Sequence, residues 1–404
     1  MSGSKQEDWK PATKLVRGGT QRSLYGETSE AIFLTSGYAY DSAEQAAARM
    51  SGDEEGYVYS RYGNPTSQML ADRLALLEGA ETCRVTASGM GAISTAMIAP
   101  CSAGDRVVAA TALFGSCRHI CSTILPRFGV ETEFVDGDDM EAWKRALSKP
   151  TRLVLIETPS NPLLDAVDIA AIADLAHAAG ALLVVDNVFA TPILQKPLDL
   201  GADIVVYSAT KHMDGQGRVL AGAILGPSEF IEEHIDPWLR HTGPSCSPFN
   251  AWVVLKGLET LDLRVRQASR NAAQIADAIA GHRKIAAVRY PGRTDHPGYD
   301  VHARQMQMGG TLIAFSVKAS GDARQGDNRR DAFRVLNALE LVDISNNLGD
   351  TKSLACHPAS TTHRALSAEE QAEMGLDESW IRFSVGLEDA DDLQADLLSA
   401  LDTL

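Results

Sequence analysis

From about residue 66 to residue 260, short apolar runs alternate with helical stretches, and this alternation constrains the fold more than any other feature of the chain. The runs at 106–109, 153–157, 182–186 and 204–208 have strand length and are rich in Val, Leu and Ile. Between the second and third lies 168–179, Ala-rich and periodic as a helix. Strands apolar on both faces and separated by helices pair in parallel, because a helical crossover returns the chain to the sheet in its starting direction. The expected class is α/β, with a mainly parallel sheet covered by helices.

The rest of the chain divides around that block. Residues 1–65 mix polar stretches with turn residues and hold no continuous pattern before a helical run at 44–50, so they read as an arm without a core of its own. Residues 249–280 keep apolar side chains near helical spacing (Trp252, Leu255, Leu258, Leu261, Val265, Ala272, Ile275, Ile279) across more than one segment, long enough to bridge two domains. Beyond them, 311–317 and 380–385 read as strands and 329–339 and 391–401 as helices. The predicted domains are thus 1–65, 66–260 and a smaller α/β unit at 261–404. The polar stretch 319–330 (ASGDARQGDNRR) reads as an exposed loop.

Charge and cysteine usage remove whole classes of function. With 37 Lys and Arg against 53 Asp and Glu, the net charge of −16 repels phosphate backbones and anionic membranes, which argues against a nucleic-acid or membrane partner. The six cysteines (83, 101, 117, 121, 246, 356) form no Cys-x-x-Cys pair, so neither a metal site nor a disulfide framework is expected. Cys117 and Cys121 share a helix spacing that suits packing. The opening MSGSKQEDWKPATKLVRGG has no apolar stretch of signal-peptide type, and no run reaches the ~20 apolar residues of a membrane span. The expectation is a soluble, cytoplasmic protein.

Two neighbouring strand ends carry the most informative chemistry: LLVVDNVFATP (182–192) and IVVYSATKH (204–212). Asp186 closes the first, while Ser208, Thr210 and Lys211 follow the second. Ligands of open parallel sheets sit beyond the carboxyl ends of the strands, so Asp186 and Lys211 face one crevice. A lone carboxylate and lysine there also make a structural ion pair, and the spacing alone does not separate the two readings. The wider set points to an aldehyde cofactor with a phosphate and a pyridine ring. Such a group needs a lysine for the Schiff base, a carboxylate for the ring nitrogen, hydroxyls and N–H groups for the phosphate, and an aromatic face. TASGMG (86–91) opens a helix and offers the N–H groups of Gly89 and Met90, and Phe114 in LFGS (113–116) is placed to stack on the ring.

The blocks YSRYGNPT (59–66), ASGMGAI (87–93), ETPSNP (157–162), VDNVFATP (185–192), YSATKH (207–212), NNLGDTKSL (346–354), HPASTTH (357–363) and IRFSVGLED (381–389) run in order along nearly the whole chain. Through them the sequence resembles the pyridoxal-phosphate-dependent enzymes of cysteine and methionine metabolism, whose type I fold agrees with the pattern above. The resemblance implies pyridoxal 5′-phosphate as cofactor, Lys211 as the Schiff-base lysine and Asp186 as partner of the pyridine nitrogen. Ser88, Gly89, Met90, Ser208 and Thr210 are implied around the phosphate, and Asn161 beside the phenolic oxygen. Arg382 is implied at the substrate carboxylate, with Asn347 and Ser353 also binding substrate. Tyr59 and Arg61 match residues that reach the phosphate of the neighbouring subunit, which gives the arm a purpose in a homo-oligomer, a dimer of shared sites paired into a tetramer.

Departures within the resemblance narrow the activity. Phe114 stands where the lyases and the γ-synthase usually have a tyrosine, and Val188 where a hydroxyl residue is common. LFGSC (113–117), DGQGR (214–218) and NNLGDTKSL look like the branch that joins sulfide to O-succinylhomoserine to make homocysteine for methionine biosynthesis. The alternatives are cystathionine γ-synthase, an O-acetylhomoserine sulfhydrylase and a γ-lyase. From another class, SGMGAI suggests a dinucleotide-binding oxidoreductase, but Ser94 stands where G-x-G-x-x-G needs its third glycine.

Overall fold

The computed structural model describes residues 4–318 and 327–404. Seven strands form the larger sheet: β1 (Thr82–Thr86), β2 (Arg106–Ala110), β3 (Glu131–Val135), β4 (Leu153–Glu157), β5 (Leu182–Asp186), β6 (Ile204–Tyr207) and β7 (Gly222–Gly226). Their order is β1-β7-β6-β5-β4-β2-β3. The strands from β3 to β6 pair in parallel, while β7 runs antiparallel to both β6 and β1. Burial follows from the sequence, since β2 and β4 are apolar on both faces and all five residues of each are buried. On β6, Ile204 and Val206 enter one core while Val205 and Tyr207 enter the other, the period of two expected for a strand covered on both sides.

A second sheet holds β8 (Ile285–Arg289), β9 (Leu312–Val317), β10 (Asp343–Ile344), β11 (Leu354–Cys356) and β12 (Trp380–Ser384), ordered β10-β11-β12-β9-β8. It is antiparallel except where β10 meets β11. The helical stretch expected at 249–280 resolves into helices Pro248–Leu258 and Leu261–Ala280. The second joins the two sheet units: Leu261 and Val265 pack in a core on one face of the larger sheet, with Val205 and Tyr207, and Ala272, Ile275 and Ile279 pack against the second sheet. A boundary between 260 and 261 therefore falls at the head of an element shared by both units.

Two expectations are corrected. The loop expected at 319–330 lies largely outside the described residues, but its last four residues open the helix Asp327–Ala338. Its polar first turn resembles loop composition, and the apolar positions that define it, Ala332, Val335 and Leu336, come later, at i, i+3 and i+4. The arm likewise contains an unforeseen helix, Pro11–Arg17, with proline in its first turn. The helical run at 44–50 is present as Ala43–Ser51, capped by the side chain of Ser42.

The arm has little apolar anchorage. Among the described residues, Leu15 is its one buried apolar side chain, whereas Leu24, Tyr25, Leu34 and Met50 face solvent. Its anchor is polar: the buried Glu30 carboxylate pairs with Arg73 and Lys256, and Trp252 Nε1 donates to the Glu30 carbonyl at 2.9 Å. Burial alone pushes this carboxyl up, but the bonds from Lys256 and Arg73 overcome it and hold the pKa at about 2.

Candidate active site

The carboxyl ends of β4, β5 and β6 open into a cavity of about 330 Å³, closed on its far side by the second sheet. Glu157 ends β4, Asp186 ends β5, and Ser208, Thr210 and Lys211 follow β6, so three neighbouring strands aim their last polar residues into one space. Arg382 enters from β12 and Phe114 from the turn after β2.

Lys211 Nζ donates to Asn347 Oδ1 at 2.6 Å. Burial, reinforced by the positive charge of Arg382, lowers its pKa to about 8, so a useful fraction is neutral amine near neutral pH. Asp186 accepts from the Val188 N–H at 3.1 Å; burial raises its carboxyl to about 6 against that bond. Arg382 is fully buried and donates to Asn161 Oδ1 at 3.0 Å and to the Asn346 carbonyl at 3.0 Å. These bonds hold its guanidinium plane in one orientation.

The opposite end of the cavity is a cradle of donors. Ser88 caps the helix Gly89–Ile98 by accepting from the Gly91 N–H at 3.0 Å, and the N–H groups of Gly89 and Met90 lie in the first turn, where no intrahelical acceptor precedes them. A Cβ on Gly89 would stand 2.5 Å from the Ser208 Cβ, so glycine is required for the helix start to close on the β6 loop. Thr210 Oγ1 accepts from the Ala221 N–H at 3.1 Å and completes the rim. A lysine of depressed pKa, a carboxylate, an aromatic wall and a nest of N–H and hydroxyl groups at a helix start fit pyridoxal phosphate in number and kind.

Other expected site residues lie elsewhere in this chain. Arg61 lines a separate cavity of about 160 Å³ with Arg84, Asp236 and Arg240, and bonds to the Arg240 carbonyl. Tyr59 is exposed beside it, its ring centroid 5.2 Å from the Arg61 guanidinium. Ser353 does not line the Lys211 cavity; its hydroxyl donates to Glu388 Oε2 at 2.9 Å and accepts from the Gly386 N–H at 2.8 Å, which commits it to the turn after β12. Cys117 and Cys121 are both buried in the larger core, with Cys117 also touching the cavity, and no metal-binding cluster is found among the described residues.

Glu157 is the cavity carboxylate that reading by motif missed. It opens the ETPSNP block and sits directly across from Asp186 in the parallel register. Its Oε2 accepts the Phe114 N–H at 2.6 Å, tying the aromatic wall to the strand end. Burial and then the neighbouring Asp186 push its carboxyl well above the ordinary range. The available signal was the register itself, since adjacent parallel strands ending in Glu and Asp place two carboxylates side by side.

A family model for Cys/Met metabolism PLP-dependent enzymes matches residues 12–402. The chain belongs to this family. Pyridoxal phosphate is therefore its cofactor. Among relatives, the O-succinylhomoserine sulfhydrylase of Mycobacterium tuberculosis is 55% identical over 390 residues, covering 96% of this chain and 95% of that one. The O-succinylhomoserine sulfhydrylase of Pseudomonas aeruginosa is 45% identical, covering 97% and 95%. A solved Campylobacter jejuni structure carrying N′-pyridoxyl-lysine-5′-monophosphate superposes with a TM-score of 0.92 at 32% identity, over 98% of this chain and 100% of that one.

Proposed function

We propose that this chain joins sulfide to O-succinylhomoserine, giving homocysteine and succinate, with Lys211, Asp186 and Arg382 as the residues that touch cofactor or substrate. The observation that carries the reading is the near full-length identity to two O-succinylhomoserine sulfhydrylases. The γ carbon–oxygen bond breaks, a carbon–sulfur bond forms in its place, and succinate leaves with the electron pair. Bound pyridoxal phosphate supplies an electron sink for the substrate α carbon. Asp186, ionised above its pKa of about 6, holds a proton at the ring nitrogen. Lys211, with a pKa of about 8, takes the α proton as a neutral amine and returns it. Arg382 grips the α-carboxylate in a bidentate pair and sets the orientation of the reacting bonds. Phe114 keeps an aromatic face over the ring and brings no hydroxyl.

The acceptor follows from the lining. Lys211 and Arg382 are the cations among the described lining residues, and both already have assignments, which suits sulfide, an acceptor without carboxylate or amine. Cysteine needs further ionic anchors. The same observation favours a second reading for the donor, O-acetylhomoserine, whose ester tail is neutral. The supporting picture is a cytoplasmic enzyme of methionine biosynthesis, a homotetramer built from dimers in which each arm lends Tyr59 and Arg61 to the partner's phosphate site.

The test is a product assay with each donor offered sulfide or cysteine. The expected result is a kcat/KM for homocysteine from O-succinylhomoserine and sulfide at least about tenfold above that for cystathionine from cysteine. Equal or greater activity with cysteine overturns the acceptor, and preference for the acetyl ester overturns the donor.

A further inference from the structure

A chain of buried hydrogen bonds joins the three strand ends that present Glu157, Asp186 and Lys211. Gln195 Nε2 donates to the Thr158 carbonyl at 2.8 Å and to Asn187 Oδ1 at 2.9 Å. Asn187 Nδ2 donates in turn to the Gln195 carbonyl at 2.9 Å and to the Tyr207 hydroxyl at 2.7 Å, and that hydroxyl donates to Glu78 Oε2 at 2.6 Å. Thr158 follows Glu157 at the end of β4, Asn187 follows Asp186 at the end of β5, and Tyr207 is the last residue of β6. Glu78, Asn187, Gln195 and Tyr207 are all buried. From one side chain to the next the donors point one way, and the last acceptor is Glu78, at the end of the helix Pro65–Glu78 into which the arm leads.

A buried carboxylate is a costly way to fill space. Burial pushes Glu78 up to about 7, against the bond from Tyr207. An apolar pair at 78 and 207 would pack as well without that cost. What it would not do is fix Asn187. Asp186, beside it, has among the described residues a single hydrogen bond to its carboxylate, from the N–H of Val188, so its aim depends on how firmly the Asn187 backbone is held. We propose that Tyr207 and Glu78 are positioning residues for Asp186: through Asn187 they hold its carboxylate where it meets the pyridine nitrogen of the cofactor. The proposal rests on the reading of Asp186 as partner of that nitrogen. Without the Tyr207 hydroxyl, Asn187 keeps Gln195 and its two backbone bonds, to the Val206 carbonyl at 3.3 Å and from the Thr191 N–H at 3.0 Å. The expected consequence is a loosened carboxylate in an intact fold.

The test compares, on the cofactor-free protein, the binding of pyridoxal phosphate with that of its carbocyclic analogue, in which a C–H replaces the ring nitrogen. The ratio of the two dissociation constants isolates the contribution of the ring nitrogen, because phosphate, aldehyde and ring face are common to both ligands. Wild type should prefer pyridoxal phosphate by about tenfold or more, and Tyr207→Phe should cut that preference by roughly threefold or more. Glu78→Met should do the same, whereas Glu78→Gln, which keeps an oxygen to accept from Tyr207, should restore most of it. Residues that only support packing, or that act on the phosphate cradle through Ser208, would weaken both ligands alike and leave the ratio unchanged. Asp186→Ala separates the two ways of failing. Loss of the preference in Asp186→Ala with a wild-type ratio in Tyr207→Phe and Glu78→Met overturns the roles of Tyr207 and Glu78 alone. A wild-type ratio in Asp186→Ala overturns the reading of Asp186 and this inference with it.

Discussion

The cavity and the arm treat their polar and apolar groups in opposite ways. In the cavity, the lysine, the arginine and both carboxylates have partners within the chain, and burial holds Lys211, Asp186 and Glu157 away from their ordinary pKa values. The arm leaves Leu24, Tyr25 and Leu34 in water and keeps Arg61 against Tyr62 at the surface, 4.8 Å from its ring centroid. The difference indicates what each region lacks. The phosphate cradle offers N–H groups and hydroxyls, whereas a dianion is held best by a guanidinium fork. The arm carries such an arginine outside the Lys211 cavity of its own chain. The proposal that each arm completes the partner's phosphate site joins the two regions.

The strongest way to break this comparison is to inactivate each region in a different subunit. Lys211→Ala should cut turnover by about 10³-fold or more, since the attachment point and the proton carrier are lost together. Arg61→Ala should weaken cofactor binding by about 1.5–3 kcal/mol, the worth of a charge-assisted contact. Mixed under conditions of subunit exchange, the two variants should yield more activity than either alone, because a hybrid dimer holds one site with both residues intact. No recovery after exchange has been verified by mass spectrometry would confine the whole site to one chain.

A smaller effect probes the cavity alone. Arg382→Lys preserves the charge but removes the fork and the bonds to Asn161 and the Asn346 carbonyl. The expected loss is about 2–4 kcal/mol in kcat/KM, roughly 30- to 1000-fold, with kcat reduced as well as KM raised because orientation depends on the fork. Unchanged kcat would reduce Arg382 to a simple charge anchor.

What was legible in the sequence sorts by range of interaction. β4 and β5 matched to the residue, because a strand buried on both faces must be apolar throughout and its ends are marked by the polar residues that follow. Lys211, Asp186 and Arg382 could be placed from local blocks. Glu157 could not, because its role arises from lateral register with Asp186, and the strand order β5-β4 is a tertiary fact. Ser353 shared a block with Asn347, yet Asn347 reaches Lys211 while Ser353 turns to Glu388. Adjacency in a loop does not fix which side chain faces the cavity. The helix Pro11–Arg17 was missed because it buries one side chain, too few for a periodic pattern.

The carboxyls of the two regions sharpen the comparison through pH. Glu30, which anchors the arm, has its pKa lowered from 4.5 to about 2 despite burial, so its contribution to stability is present above the unfolded value and is lost as pH falls. Asp186 is the reverse case: burial raises it from 3.8 to about 6, so in the cofactor-free protein its contribution is intact below about pH 4 and disappears as pH rises through 6. At pH 7.5 that loss is on the order of 3 kcal/mol. On the proposed assignment, bound cofactor would set a positive ring nitrogen against this carboxylate and offset the penalty. Melting temperatures at pH 5 and pH 7.5 should therefore fall more steeply for the cofactor-free protein than for the loaded one. In Asp186→Asn, the cofactor-free protein should lose part of that fall, a difference of a few degrees at about 2 °C per kcal/mol for a chain of this size. Glu30 is common to both proteins and drops out of the difference, while Glu157, relieved of the charge of Asp186, moves back toward its ordinary range and adds to it. An identical pH slope in wild type and Asp186→Asn would mean that the cavity carboxylate folds at no electrostatic cost, and the contrast with the arm would not extend to these two acids.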